Sequence, residues 1–358
     1  MLYCSERNTG CRFTEIGLMG MRALVLENER LHVTVLLDHG ADIIEFNDKR
    51  TDTDFVWRNP MGLSGIRKLQ FSPVDADSFA DNYLGGFFEI VPSIGGGGEY
   101  RGVRFGGYCE SNQLPWEYEV LCDTPQQVTV RCFVWLNKLP LQLERRMTLR
   151  QGGAALCMEE TVTNLGAEPV DFQWGWHPNI GGGFLNGDCV IDLPDGELRV
   201  LRPSSRFSAR AQGRWPLLHE PETPAKTVDY SHMPPPDTML DELVDVQALC
   251  GGWAAVRDAR RGLGIGLGWD PVVFPHAAVW QSSCHRQGHF RMGGAYVMCF
   301  LLHSTPTLGL PQAAAAGETV PLPGHASRSG RLTMTVFEGF SPVAGVAADG
   351  SVTFVEKP

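Results

Sequence analysis

The feature that most constrains this chain is a hydrophobic period of two, repeated from near one end to near the other. From Gln127 to Trp135, Val128, Val130, Cys132 and Val134 fall on one side and Thr129, Arg131, Phe133 and Trp135 on the other. Successive side chains of a strand point to opposite faces, so this alternation marks half-buried antiparallel strands. Leu31, Val33, Val35 and Leu37 show the same phase, as do Leu141, Leu143, Met147 and Leu149, then Leu156, Met158, Glu160 and Val162. The charged run Glu144–Arg146 interrupts the third of these, and a bulge or twist is expected there. Further strand-like runs recur at Cys189–Leu193, Trp253–Arg257, Tyr296–Leu302, Leu332–Phe337 and Val352–Val355.

Helical signals are few. Asp237–Leu249 is the best candidate, with Asp237 as N-cap and Gly251 just beyond its end. Ser93–Gly107, His232–Asp237 and Pro311–Gly317 read as loops from their glycine, proline and alanine content. None is long enough to be an interdomain linker. The expectation is an all-β chain, a large antiparallel β-sandwich forming one domain over residues 1–358, with over a third of its residues in strands.

Composition narrows the function classes. The formal charge is −11 from 30 Lys and Arg against 41 Asp and Glu. There is no basic run, so nucleic acid and anionic membranes are not expected partners. The acidity favours a neutral or cationic ligand, or simply solubility. The ten cysteines include no CxxC pair. Cys132, Cys157, Cys189 and Cys299 lie in apolar runs, where free thiols act as small hydrophobes. A reducing cytoplasm fits this usage. The N-terminal segment has no signal-peptide pattern, and no apolar run reaches the roughly 18 residues of a membrane-spanning helix.

Several segments together resemble the aldose 1-epimerase or galactose mutarotase-like superfamily. They are RALVLENERLHVTVLLDHGADIIEFNDKRTDTDFVW, GGFFEIVPSIGGGG (Gly85–Gly98), GGYCESNQLPWEYEV (Gly106–Val120), ETVTNLGAEPVDFQWGWHPNIGGGFL and VPLPGHASRSGRLTMTVFEG. They occur in the family's order and span nearly the whole chain. The second and third are similar to a poorly characterised subgroup with a GGWxExxP-like segment.

The resemblance implies a small-molecule sugar as ligand and a carbohydrate isomerase that interconverts anomers by acid–base ring opening. A base would deprotonate the anomeric hydroxyl and an acid would protonate the ring oxygen, which requires no metal or nucleotide cofactor. His177, in WGWHPN, matches the family's central acid. Two positions depart from the pattern. Tyr108 stands where the subgroup has histidine, followed by Cys109 and Glu110. LLHST places Leu302 where the family has its catalytic Glu, with His303 beside it. Glu110 and His303 are the candidates to compensate as catalytic groups. Substrate contacts are expected of Glu89, Tyr108, Trp116, Trp176, Asn179, Trp280 and Gln281, because sugars pack their C–H faces on aromatic rings. Two alternatives stay open: a sugar-binding protein that has lost the base, or another epimerase or lyase. A carboxylate facing His177 is the discriminating feature. Cys284, His285 and His289 lack a second ligand pair, so no metal site is expected. Gly95–Gly98 is not followed by GK[ST] and is not a P-loop.

Overall fold

The computed structural model describes residues 4–60, 78–285 and 294–356. About 54% of the residues are in strands and 5% in helices. Two large antiparallel sheets dominate. The smaller has eight strands, in the order Glu117–Asp123, Gln127–Trp135, Leu141–Arg150, Ala155–Asn164, Ser327–Glu338, Leu263–Trp269, Trp253–Asp258 and Cys189–Asp192. The larger has fourteen. Its middle runs Asp42–Asp48, Phe87–Ile90, Gly175–Ile180, Tyr296–His303, His276–Ser283, Asp241–Gln247 and Glu197–Arg202.

The two sheets read differently because their outer faces differ. In the eight-stranded sheet Gln127–Trp135 and Leu141–Arg150 alternate strictly between buried and more open positions, so one face meets the core and the other meets solvent. In the larger sheet Gly175–Ile180 is buried at every position, and Tyr296–His303 and His276–Ser283 at all but their first. Its inner face joins the main core, which contains Trp176, Ile180, Val244, Val279 and Leu302. Its outer face carries a second apolar cluster with Trp57, Tyr83, Phe88, Trp280, Cys299 and Leu301. That second cluster builds the candidate site.

Three local expectations are corrected. Asp237–Leu249 is not a helix. Pro236–Thr238 is one 3-10 turn that ends on Met239 at φ 53°, and Asp241–Gln247 is a central strand. Its alternation is masked in the sequence because Asp241, Glu242 and Asp245 are buried acids. Arg202, Arg206 and Arg199 respectively pair with them, so sheet pairing on both sides overrides a local helix signal. Glu144–Arg146 carries no bulge. The strand Leu141–Arg150 keeps unbroken register with both neighbours, and Arg145 is simply an inward-facing charge. Pro311–Gly317 is not a loop: Leu310–Ala316 is a short helix. Proline in its first turn, four alanines and Gly317 in the left-handed cap position explain why.

The ten cysteines are free thiols, and Cys132, Cys189 and Cys299 are buried. Among the described residues no helix is long and apolar enough to cross a membrane.

Candidate functional site

His177 lies mid-sheet on the strand Gly175–Ile180, where Trp176 pairs with Glu89 and His177 with Phe88. Side chains of paired positions share a face. His177 therefore leaves the outer face of the sheet with Phe88, while Trp176 and Glu89 enter the main core. The His177 ring stacks on Phe88 at 4.7 Å with an interplanar angle of 10°. Tyr83 and Tyr108 meet it edge-on at 6.3 and 6.1 Å, and Trp280 tilts over it at 6.4 Å. This is an aromatic box with one polar member.

The box decides the charge state of His177. Burial drives its pKa down to about 3, with only weak opposition from its own backbone and Asn179. No described carboxylate lies close enough to counter that. His177 is thus a neutral imidazole at physiological pH. Nδ1 lies 3.1 Å from Cys299 Sγ. Burial holds that thiol well above its usual pKa, so its sulfur keeps its hydrogen.

The other expected residues divide between the two faces. Tyr108 and Trp280 are in the box. Tyr108 sits at φ 46°, a left-handed conformation uncommon for a bulky residue. Trp280 donates through Nε1 to Asp241 Oδ1 at 2.7 Å, and Asp241 also pairs with Arg202. Asn179 accepts from the Tyr83 hydroxyl at 2.6 Å and donates to the Gly86 carbonyl, so it holds the box in place.

Glu89, Trp116, Trp176 and Gln281 are elsewhere. Glu89 accepts from Trp174 Nε1 at 2.6 Å and from Arg145 at 3.1 Å. The Arg145 guanidinium lies 5.2 and 5.0 Å from the Trp116 and Trp176 rings, and Trp174 belongs to the same core. Gln281 is buried on the inner face against Arg206 and the Tyr230 carbonyl. Glu110 Oε1 accepts the amide hydrogens of Asn137 and Lys138 at 2.8 and 2.9 Å, which commits it to a turn. Cys284 and His285 form no metal-binding group among the described residues; His289 lies outside them.

His303 shares the outer face with His177, and Leu302 packs in the main core. The residue that reaches the site side at this strand end is therefore the histidine. Its ring is fully buried. Nδ1 meets the Thr305 carbonyl at 2.7 Å and Nε2 meets Asp245 Oδ1 at 2.9 Å. Burial tends to raise the Asp245 pKa, but His303, Arg199 and Gln247 outweigh it and hold the carboxylate below its usual range.

Phe88, Tyr83, Cys299, Asp245 and Arg199 were not anticipated. The first was available from register, since a strand beside WGWHPN must offer every second residue of GGFFEIVP to the same face. The others are set by sheet order, which local pattern does not encode.

The structure closely matches several solved ones. A Klebsiella pneumoniae protein provisionally described as an aldose 1-epimerase superposes with a TM-score of 0.72 at 14% identity, covering 93% of this chain and 85% of that one. A galactose mutarotase related enzyme of Lactobacillus acidophilus gives 0.58 at 15% identity, covering 88% and 98%. A galactose mutarotase-like protein of Clostridium acetobutylicum gives 0.60 at 11% identity, covering 92% and 99%. At these identities the likeness establishes the fold, which is galactose mutarotase-like, and leaves the chemistry to the site. No curated protein matches the sequence significantly. A family profile matches residues 134–336, more than half of the chain. The chain belongs to that family, whose description is domain of unknown function DUF4432.

Proposed function

We propose that this protein binds a sugar in the outer-face cleft, against the aromatic box around His177, without anomerising it. One observation carries the reading: His177 is a buried neutral imidazole with no described carboxylate beside it. Ring opening needs a proton donor and an acceptor across one sugar ring. An imidazole with a pKa of about 3 is a poor donor and a weak acceptor near neutrality. Glu89 and Glu110, the carboxylates expected to compensate, are engaged in the core and in a turn. What remains supports recognition, since Tyr108 and Trp280 set aromatic rings beside the His177 imidazole. Ten free thiols fit work in a reducing compartment such as the cytoplasm.

The second reading is an aldose 1-epimerase-type isomerase. It draws support from the descriptions of the similar structures and from a histidine at the centre of the aromatic box. One pair of measurements separates the two. Calorimetry with common aldoses is expected to give saturable binding, weakened about tenfold in His177→Phe, which keeps the stacking and loses the hydrogen bond. NMR exchange between α and β anomers is expected to run at the uncatalysed rate. Acceleration by the wild type that His177→Phe abolishes would establish the isomerase instead.

A further inference from the structure

Beside the aromatic box lies a cavity of about 610 Å³, lined by Gly95, Gly96, Gly97, Gly107, Tyr108, Arg199, Leu201, Leu243, Thr307 and Leu308. Its size suits a small ligand. Tyr108 belongs to both spaces, and Leu201, Leu243 and Leu308 pack on the cluster that contains Trp280. The cavity therefore adjoins the aromatic box.

Its charge is one-sided. Among the described lining residues Arg199 is the one ionised side chain, and none is acidic. Its Nη2 donates to Asp245 Oδ2 at 3.0 Å and to the Pro306 carbonyl, and the other oxygen of that carboxylate meets His303 Nε2 at 2.9 Å. Both contacts use Nη2, so Nε and Nη1 of the guanidinium fork remain for a ligand.

Part of the lining is bare peptide, at Gly95–Gly97 and Gly107. Gly95 has φ +87°, and a Cβ there would press on Leu308 at 3.0 Å. A Cβ on Gly97 would lie 2.7 Å from the Phe105 carbonyl oxygen. The Gly95 carbonyl accepts from the Tyr108 amide at 2.9 Å, which ties this segment to the box. A ligand here meets both bare backbone and a guanidinium.

We propose that the cavity takes a sugar bearing an anionic substituent, a carboxylate or a phosphate, with Arg199 as the anion-binding group and Asp245 and His303 positioning it. The inference rests on the sugar-binding reading and narrows its ligand class. The acidic composition points the other way, but a net charge is screened beyond about 10 Å whereas this cation is at contact distance.

The test is calorimetry with glucose, galactose, glucuronate, galacturonate and glucose 6-phosphate, at low and high salt, for the wild type, Arg199→Gln and Arg199→Lys. An anionic member is expected to bind at least tenfold tighter than its neutral parent, since charge-assisted pairs are the stronger class. The advantage should shrink with salt, collapse in Arg199→Gln and persist in part in Arg199→Lys. Which anion wins distinguishes carboxylate from phosphate. Thermal unfolding reports whether each variant is folded; the wild-type comparison and its salt dependence test the proposal even if Arg199→Gln is not. Neutral sugars binding as tightly as anionic ones would overturn this inference and leave sugar binding standing. No binding by either class would overturn both.

Discussion

Replacing Arg145 by methionine is expected to destabilise the protein by about 3–5 kcal/mol, the usual cost of removing one partner from a buried ion pair. Arg145, Glu89 and Glu160 are all but inaccessible to solvent. The guanidinium holds Glu160 at 2.7 Å, Glu89 at 3.1 Å and the Ala41 carbonyl at 2.8 Å. Without it, two carboxylates are left in the core with no cation. The comparison is urea unfolding at fixed pH, reading a lower midpoint with an unchanged slope. Adding Glu89→Gln and Glu160→Gln to Arg145→Met should recover much of the loss, because the uncompensated charges are then gone. A single variant as stable as the wild type would mean that the cluster contributes nothing.

The same cluster gives a pH dependence of definite sign. One cation faces two carboxylates, so one proton is retained. Burial, then the charge of Glu160, raises the Glu89 pKa well above normal. Glu160 Oε2 has no hydrogen-bond partner unless Glu89 carries that proton. A raised carboxylate pKa contributes stability that is fully present below the unfolded value, about 4.3, and lost as pH rises through the folded value. Unfolding free energy should therefore fall with rising pH through Glu89, and Glu89→Gln should flatten that fall. An unchanged pH profile in Glu89→Gln would refute the assignment.

Asp245→Ala is the second large expected loss, again about 3–5 kcal/mol, because it removes the buried carboxylate that meets both His303 and Arg199. The His303 contact contributes most of it, since both groups are fully buried. Arg199 is 43% exposed and adds less after solvent screening. Here the pH sign reverses. A depressed carboxylate pKa contributes stability present above the unfolded value, about 3.9, and lost as pH falls through the folded one. The wild type should weaken in acid through Asp245, and Asp245→Asn should lose part of that acid limb. Arg199 is expected to lose its position in the same variants, so an anionic sugar should bind them more weakly even where they remain folded.

Buried charge also marks where sequence reading succeeded and where it did not. Gln127–Trp135 is legible because all its inward residues are apolar. Leu141–Arg150 was legible as a strand, yet Arg145 seemed to require a bulge, because an inward arginine makes sense only once Glu89 and Glu160 are known to face it. Asp237–Leu249 failed for the same reason three times over, at Asp241, Glu242 and Asp245. Each ion partner is remote in sequence or belongs to a strand whose neighbour cannot be inferred locally. Glu89, expected to contact substrate, faces the core instead, since one step along a strand reverses the direction of every side chain.

What the sequence determined by itself was the all-β sandwich and the likeness to mutarotase-like proteins, because period-two patterning and the order of motifs are local or linear properties. What only the tertiary structure decided was which of the expected residues share a face of the sheet and how deeply they are buried there. His177 meets Phe88, Tyr108 and Trp280 while Glu89, Trp116, Trp176 and Gln281 turn to the core. The physical reason is that strand order and register set the facing side, and burial together with the neighbours on that side sets protonation; both depend on segments that the chain brings together only on folding.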